Sequence, residues 1–260
     1  MPTREKETYS IQSVENALNV LEALCDEGDE VGISQLSERL GMNKTSVFRL
    51  LATFENRGYV ERETRSGKYR LGLSAYEIGQ KLLSRMGLLR KARPVMEHLV
   101  RECDEAVYLA VRRLDQVLFF DMVDTSQQVK IVSLVGKRYP LNATAAGKVI
   151  LSHLPLGEVS QEEWPQSPRA VLASIADELE IIRTQSTCHD HNTLGDGIAS
   201  MAVPLFSGDG HVQGSLSLIA PDFRMTEEKI RDYLIRLRES ADIISSKLGY
   251  VGRYLQKEYS

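Results

Sequence analysis

The sequence predicts an α+β chain in two parts: a helical head closed by a short hairpin, then a larger domain of hairpin-linked strands with helices on the sheet's face. Three observations predict it. Through Gly58 apolar residues recur at helical spacing, after which the period shortens to that of strands. From Ala106 to Ala220 runs rich in β-branched and aromatic residues are interleaved with helical patterns, and Ser207-Gly208-Asp209-Gly210 marks a hairpin. The last stretch is one long amphipathic helix. A length of 260 residues suits two ordinary domains, and 42% hydrophobic with 26% charged residues is a globular mix that argues against extended disorder.

In chain order, the first predicted helix carries Val14, Ala17, Leu18, Leu21, Leu24 and Cys25 on one face, with Ser13 placed to cap and Gly28 beyond its end. In the second, Ser34 is placed to cap, Leu36 and Leu40 face inward, and Gly41 provides a left-handed stop. Asn43 caps the third, whose core face is Val47, Leu50, Leu51 and Phe54 and which Gly58 closes. Strands at Tyr59–Glu63 and Lys68–Leu71 flank the turn Thr64-Arg65-Ser66-Gly67, with Val60 and Leu71 turned inward. Helix, helix, tight turn, helix and basic hairpin is the order of a winged helix-turn-helix.

A helix over Ser74–Leu89 has a seam of Ala75, Ile78, Leu82 and Leu89, a surface suited to a second copy of the chain. A further helix starts near Pro94, which a first turn tolerates. Strands are expected at Ala106–Arg112, Val117–Val123, Val129–Val135, Gly197–Leu205 and His211–Ala220, and helices at Thr144–His153 and Ala170–Gln185. Thr226 caps the final helix, striped by Ile230, Leu234, Leu237, Ala241, Ile244 and Leu248. The domains are 1–73, a linker and dimerisation helix at 74–91, and 92–260.

The net charge of −4 argues against a nucleic-acid partner, but its distribution does not. Residues 39–72 hold eight cations against three carboxylates, while 1–38 hold two against nine. At about 100° per residue the third helix turns Thr45, Arg49, Ala52 and Asn56 away from its core face, with Ser46 and Phe48 at the flanks. Arg49 suits a bidentate contact to guanine, and Thr45 and Ser46 suit bases or phosphates. Lys44 suits a phosphate. The hairpin adds Arg62, Arg65, Lys68 and Arg70, and Arg65 at its tip fits a narrow minor groove. A winged helix can also serve as a protein-interaction module. The basic tip and the polar outer face favour duplex DNA.

No apolar run approaches the roughly 20 residues of a membrane span, and the charged N-terminus does not read as a leader, so a cytoplasmic location is expected. Three separated cysteines, Cys25, Cys103 and Cys188, do not make a disulfide framework. Cys188-His189-Asp190-His191 is the one dense group of metal-ligand types, but such close ligands need a tight loop and no fourth ligand has a recognised spacing. Gly147-Lys148 fails as a phosphate loop, because Asn142 stands where glycine is required and Val149 where Ser or Thr is. No catalytic residue, cofactor or metal is assigned.

The chain resembles the IclR family of bacterial transcriptional regulators. The resemblance rests on Ser34-Gln35-Leu36-Ser37-Glu38-Arg39-Leu40-Gly41, Lys44-Thr45-Ser46-Val47-Phe48-Arg49-Leu50-Leu51 and Gly58-Tyr59-Val60. It continues through Pro140-Leu141-Asn142-Ala143-Thr144-Ala145-Ala146-Gly147-Lys148 and from Gly197 to Pro204. It implies a winged helix-turn-helix, a linker helix and a GAF-like effector-binding domain with an antiparallel sheet. It further implies operator binding as a homodimer or homotetramer, and control of transcription, as a repressor, an activator or both, by a ligand that is often a small organic acid. By position in the family motif, Ala145, Ala146, Asp190, Ser200 and Ser217 are the effector-binding residues. Asn142 and Ser200 depart from the histidine and cysteine common at those positions, which leaves the ligand's identity open.

Physically, Thr144-Ala145-Ala146-Gly147 opens a helix with small side chains over unpaired N–H groups, which suits a carboxylate or close packing on a sheet equally well. Alternation puts Ser215, Ser217 and Ile219 on one strand face, and Ile198, Ser200 and Ala202 on one face of the strand before it. The expected function is a sequence-specific DNA-binding regulator tuned by a small-molecule effector. The alternative is a small-molecule hydrolase or lyase with a vestigial N-terminal module.

Overall fold

The structure, a computed structural model, describes residues 11–26, 30–155 and 175–252. Its contacts divide the chain into two units, Met1–Arg85 and Met86–Ser260.

The first unit holds α1 (Gln12–Asp26), α2 (Ile33–Leu40), α3 (Lys44–Asn56), β1 (Val60–Arg62), β2 (Tyr69–Leu71) and α4 (Leu73–Arg85). Its core is Val20, Ala23, Leu24, Val31, Leu36, Val47, Leu51, Val60 and Tyr69. The face of α1 differs from the expected one. Buried positions fall in its second half, at Val20, Ala23 and Leu24, while Val14, Leu18 and Cys25 are exposed. Ser13 lies inside α1 and Ser34 inside α2, where the chain turns helical at Gly32 without a side-chain cap. Gly28 lies outside the described residues.

Gly41 ends α2 at φ +61°, a left-handed conformation that glycine adopts at little cost. Asn43 caps α3 as its type predicts, its side chain accepting from the Ser46 N–H at 2.8 Å. The hairpin pairs Val60 with Leu71 and Arg62 with Tyr69. Tyr69, not Leu71, is the buried residue of β2, because Val31 bridges to Tyr69 from the other side and closes it into the core. Leu71 lies at the end of that small sheet and stays exposed.

The predicted helix over Ser74–Leu89 is two helices. α4 ends at Arg85, Met86 is extended, and α5 runs Gly87–Cys103. Pro94 is therefore inside α5 rather than at its start. It costs the Arg90 carbonyl its helical N–H donor, a loss that burial of Ala92, Val95, Met96, Leu99 and Val100 offsets.

The second unit continues with β3 (Ala106–Arg113), β4 (Gln116–Val123), β5 (Arg138–Pro140), α6 (Ala145–Ser152), α7 (Ala176–Gln185), β6 (Cys188–His191), β7 (Ile198–Phe206), β8 (Val212–Pro221) and α8 (Glu227–Lys247). Six strands pair antiparallel in the order β5-β4-β3-β8-β7-β6. The result is α+β, as expected. The expected strand Val129–Val135 is absent: these residues are unpaired, and Val129, Val132 and Val135 are exposed. High β propensity makes no strand where no sheet edge is offered, and the partner of β4 is Arg138–Pro140 instead. The expected helix from Ala170 is described only from Ala176, with Leu172 outside the described residues.

Alternation gives the sheet two apolar faces. One carries Val107, Leu109, Met201, Val203, Leu216 and Leu218 against α5 and α8. Tyr233, which the helical stripe did not include, is buried there and donates to the Cys103 carbonyl at 2.9 Å. Thr226 caps α8 by accepting from Lys229 N–H. The other face carries Ala106, Tyr108, Ala110, Ala202 and Ile219, and α6 packs across it on β3, β6, β7 and β8.

Candidate nucleic-acid interface and ligand pocket

In the first unit, the Asn43 cap fixes where α3 begins and hence which residues lead it. Lys44, Thr45 and Arg49 are exposed, and Thr45 and Arg49, four apart, share a face one turn from each other. Ser46 is half-buried and Ala52 leaves a shallow place beside Arg49. Phe48 adds an exposed apolar edge to the same helix. The hairpin cations divide into two kinds. Arg70 donates through Nε and Nη2 to Glu61 Oε2 at 3.2 and 3.0 Å. Arg62 lies over the Tyr69 ring, 5.7 Å from its centroid. Arg65 and Lys68, in contrast, are exposed at the turn with no side-chain partner among the described residues, while the turn is held by the Glu63 carboxylate on Arg65 N–H and by Ser66 Oγ on Lys68 N–H.

In the second unit all five predicted ligand residues are buried where α6 packs on the sheet, Asp190, Ser200 and Ser217 on the strands and Ala145 and Ala146 on the helix. Ala145 and Ala146 open α6, Thr144 caps it by accepting from Gly147 N–H at 3.1 Å, and the Lys148 N–H bonds the Thr144 carbonyl. That leaves the N–H groups of Ala145 and Ala146 without an acceptor among the described residues. Gly147 is dictated by proximity: a Cβ there would stand 2.3 Å from the Leu141 carbonyl oxygen.

Strand register then sets the rest. Asp190 pairs with Ser200, and Ser200 with Ile219. One row along, Cys188 pairs with Ala202, Ala202 with Ser217, and Ser217 with Tyr108. Buried oxygens on this face lack hydrogen-bond partners among the described residues: Asp190 Oδ2, Ser200 Oγ, Ser215 Oγ and Ser217 Oγ, with Asn142 Oδ1 in the turn before α6. Buried polar atoms are ordinarily bonded, so a concentration of exceptions at one place marks groups that await a partner.

In the sequence Lys148 stands out only as the end of a family motif and of a failed phosphate loop, with no role of its own. Folded, it is the hub of the face. Its Nζ donates to Glu178 Oε1 at 2.7 Å and to Asp190 Oδ1 at 3.2 Å. Burial pulls the ammonium's pKa down, but the two carboxylates outweigh it and hold the group above the ordinary lysine value. The Cys188 thiol beside Asp190 is pushed far up, first by burial and then by that carboxylate, so it stays protonated. Alternation on β6 sends Cys188 and Asp190 inward and His189 and His191 to the opposite face, where His191 Nδ1 meets Asp222 at 2.8 Å. Cys188, His189 and His191 therefore do not converge. Oxygens of Glu178 and Asp190 do lie within 4.8 Å of the Cys188 sulfur, but Lys148 already supplies the positive charge between the carboxylates.

Comparison with known proteins decides what this pairing of units is. Residues 13–64 match the IclR helix-turn-helix domain, and residues 80–246 match the bacterial transcriptional regulator IclR C-terminal domain. The chain belongs to the IclR family.

The HTH-type transcriptional regulator KdgR of Escherichia coli (strain K12) is 33% identical to this IclR-family chain over 253 residues, covering 95% of it and 96% of KdgR. The crystal structure of the Thermotoga maritima IclR superposes with a TM-score of 0.72 at 26% identity, over 93% of this chain and all (100%) of that one. An IclR homolog from Microbacterium hydrocarbonoxydans, solved in complex with 4-hydroxybenzoate, superposes with a TM-score of 0.77 at 23% identity, over 91% of this chain and 98% of that one. The protein is thus a DNA-binding transcriptional regulator and not an enzyme, as its relatives are. Among the described residues no helix is long and apolar enough to cross a membrane.

Proposed function

We propose that this IclR-family regulator is a one-component switch, in which a small organic acid bound on the α6 face of the second unit changes the affinity of the first unit for operator DNA. The exposed Lys44–Thr45–Arg49 face of α3, with Arg65 and Lys68 at the hairpin turn, is the observation that carries the DNA reading. A major groove admits one helix, and Arg49 reaches guanine O6 and N7 as a bidentate donor. Lys44, Thr45 and Ser46 hold phosphates or base edges beside it. Arg65 enters the neighbouring minor groove and Lys68 follows the backbone. Arg62 and Arg70, engaged by Tyr69 and Glu61, act through the field of the hairpin more than through bonds of their own.

Ala145, Ala146, Asp190, Ser200 and Ser217 take the effector, the first two through backbone N–H groups that suit a carboxylate. The 4-hydroxybenzoate held by the Microbacterium homolog supports an acid as ligand. Since these residues are buried, a ligand enters through local opening and then holds a packing different from the free one.

The regulator acts in the cytoplasm as a homodimer or homotetramer. Ile11 just before α1, Val14 and Leu18 on α1, and Leu73, Tyr76, Ile78 and Leu82 on α4 are exposed apolar side chains that a second copy would cover. Residues 74–91 form the linker between domains 1–73 and 92–260, and shift the separation of two heads whose half-sites lie about 34–36 Å apart.

A gel-shift titration against the gene's own upstream region, with shuffled competitor and several salt concentrations, tests this reading. Preference for the upstream fragment that falls steeply with salt is expected; equal binding to shuffled DNA at every salt concentration overturns it.

A further inference from the structure

Resting on the DNA reading above, we infer that Phe48 is a further base-reading residue of α3, and that it takes the 5-methyl group of a thymine in the half-site that Arg49 reads.

Phe48 is 48% exposed, the one large apolar side chain of α3 so placed among the described residues. Single exposed apolar side chains are ordinary on a protein surface and need no partner. Position sets this ring apart. It is on the leading half of the helix, the part that reaches base edges, and Lys44, Thr45 and Arg49 around it are exposed too. Thr45 stands three positions before Phe48 and Ala52 four after, so both are its neighbours on the helix surface. A threonine methyl, a phenyl ring and an alanine methyl thus make a narrow apolar strip beside the cationic residues.

A protein partner does not suit that strip. A stable protein interface takes about 800 Å² from each side, of which one ring and two methyl groups supply a small part. Lys44 and Arg49 beside them call for an anionic surface.

Duplex DNA meets both demands. The major groove is about 12 Å wide and a helix with its side chains about 10–12 Å across, so the flank of an inserted helix meets base edges as its centre does. Guanine, adenine and cytosine present donors and acceptors there, and thymine adds a methyl group. A phenyl ring pressed on a donor or acceptor strips its water and returns no bond. Against the thymine methyl it buries apolar surface on both sides. Taking one methyl out of water is worth about fourfold in affinity, and two half-sites make that about tenfold or more. The small side chain of Ala52 lets the base edge come close.

Gel-shift titration of the full-length chain tests this with the gene's own upstream fragment, prepared once with thymine and once with uracil at every thymine position. The wild type is expected to bind the thymine form about tenfold more tightly, and Phe48→Ser to bind the two forms within about twofold of each other. Equal binding of both forms by the wild type, with the upstream fragment still preferred to a shuffled one, overturns the methyl contact and leaves the DNA reading standing. A thymine preference that persists unchanged in Phe48→Ser belongs to another residue or to duplex stiffness, and overturns the role of Phe48. No preference of the wild type for upstream over shuffled DNA overturns both. Phe48→Ser should unfold within about 4 °C of the wild type, as an exposed substitution does; a larger fall would mean that the ring serves packing in the first unit, and the assignment fails.

Discussion

Asp190 and Ser200 face each other across β6 and β7, and each presents a buried oxygen with no hydrogen-bond partner among the described residues. A side chain kept for folding alone would have found a bond in such a place. The pair gives a test that needs no ligand. A buried hydroxyl left unpaired costs about 1–3 kcal/mol, and its replacement by a methyl group is neutral or stabilising. Ser200→Ala and Ser217→Ala should therefore leave the midpoint of thermal unfolding of the free protein unchanged or raised by a few degrees. A clear fall in either variant would mean the hydroxyl serves the fold.

The two kinds of hairpin arginine predict different mutational costs. Arg65 is exposed at the turn, whereas Arg70 is committed to Glu61 at 3.0 Å. Arg65→Ala should reduce operator affinity by about 1–2 kcal/mol and flatten the salt dependence by about one counterion. Arg70→Ala should cost less than half as much, because its charge is already countered. Arg49→Ala should relax discrimination between operator and random DNA by about 1–3 kcal/mol. Gel-shift titrations at two salt concentrations separate these outcomes, and equal losses for Arg65→Ala and Arg70→Ala would refute the division.

Much of the fold could be read from residue types because their effects are local. Asn43, Thr144 and Thr226 cap helices as their side chains predict, bonding the N–H of Ser46, Gly147 and Lys229. Ser13 and Ser34 have the same chemistry and do not cap, since a cap also needs extended backbone at that residue, and the chain is already helical there. Residues 129–135 have the composition of a strand but no edge to join. Lys148 was opaque for a different reason. Its partners lie 30 and 42 positions away, a relation created only when α6, α7 and β6 pack. Alternation placed Ser200 and Ser217 on their faces in advance, but only the register brings Asp190 opposite Ser200 and Ser217 opposite Tyr108.

Gly147 is expected to be intolerant of even one methyl group. Its Cβ would lie 2.3 Å from the Leu141 carbonyl oxygen and 2.8 Å from the Leu141 Cα, both backbone atoms that cannot turn aside. Gly147→Ala must move the Leu141 turn or α6, a strain of about 1–3 kcal/mol that outweighs the helix propensity gained from alanine. Gly79, on α4 with open space at its Cβ position, is the control: Gly79→Ala should stabilise by about 0.5–1 kcal/mol. Denaturant midpoints compare the two, and a stable Gly147→Ala would show that the turn before α6 yields easily.

Two histidines predict a loss of stability on mild acidification. Burial holds His153 below the ordinary imidazole pKa and Arg183 adds to the effect, outweighing the opposing bond of its Nδ1 with the Val149 carbonyl at 2.9 Å. Burial also lowers His189, followed by His191, whose ring lies 4.4 Å away, against the opposing pull of Asp190 and Asp222. In the unfolded chain each titrates near 6.5, so below that pH the unfolded state binds protons that the folded state refuses. Their contribution is fully present above 6.5 and declines as pH falls through 6.5 toward the folded values, before most carboxylates protonate. The unfolding midpoint should therefore be lower at pH 5.5 than at pH 7.5, and His153→Gln and His189→Gln should each narrow the gap. An equal or higher midpoint at pH 5.5, with the gap unaltered in both variants, would mean that neither ring is held neutral by its surroundings.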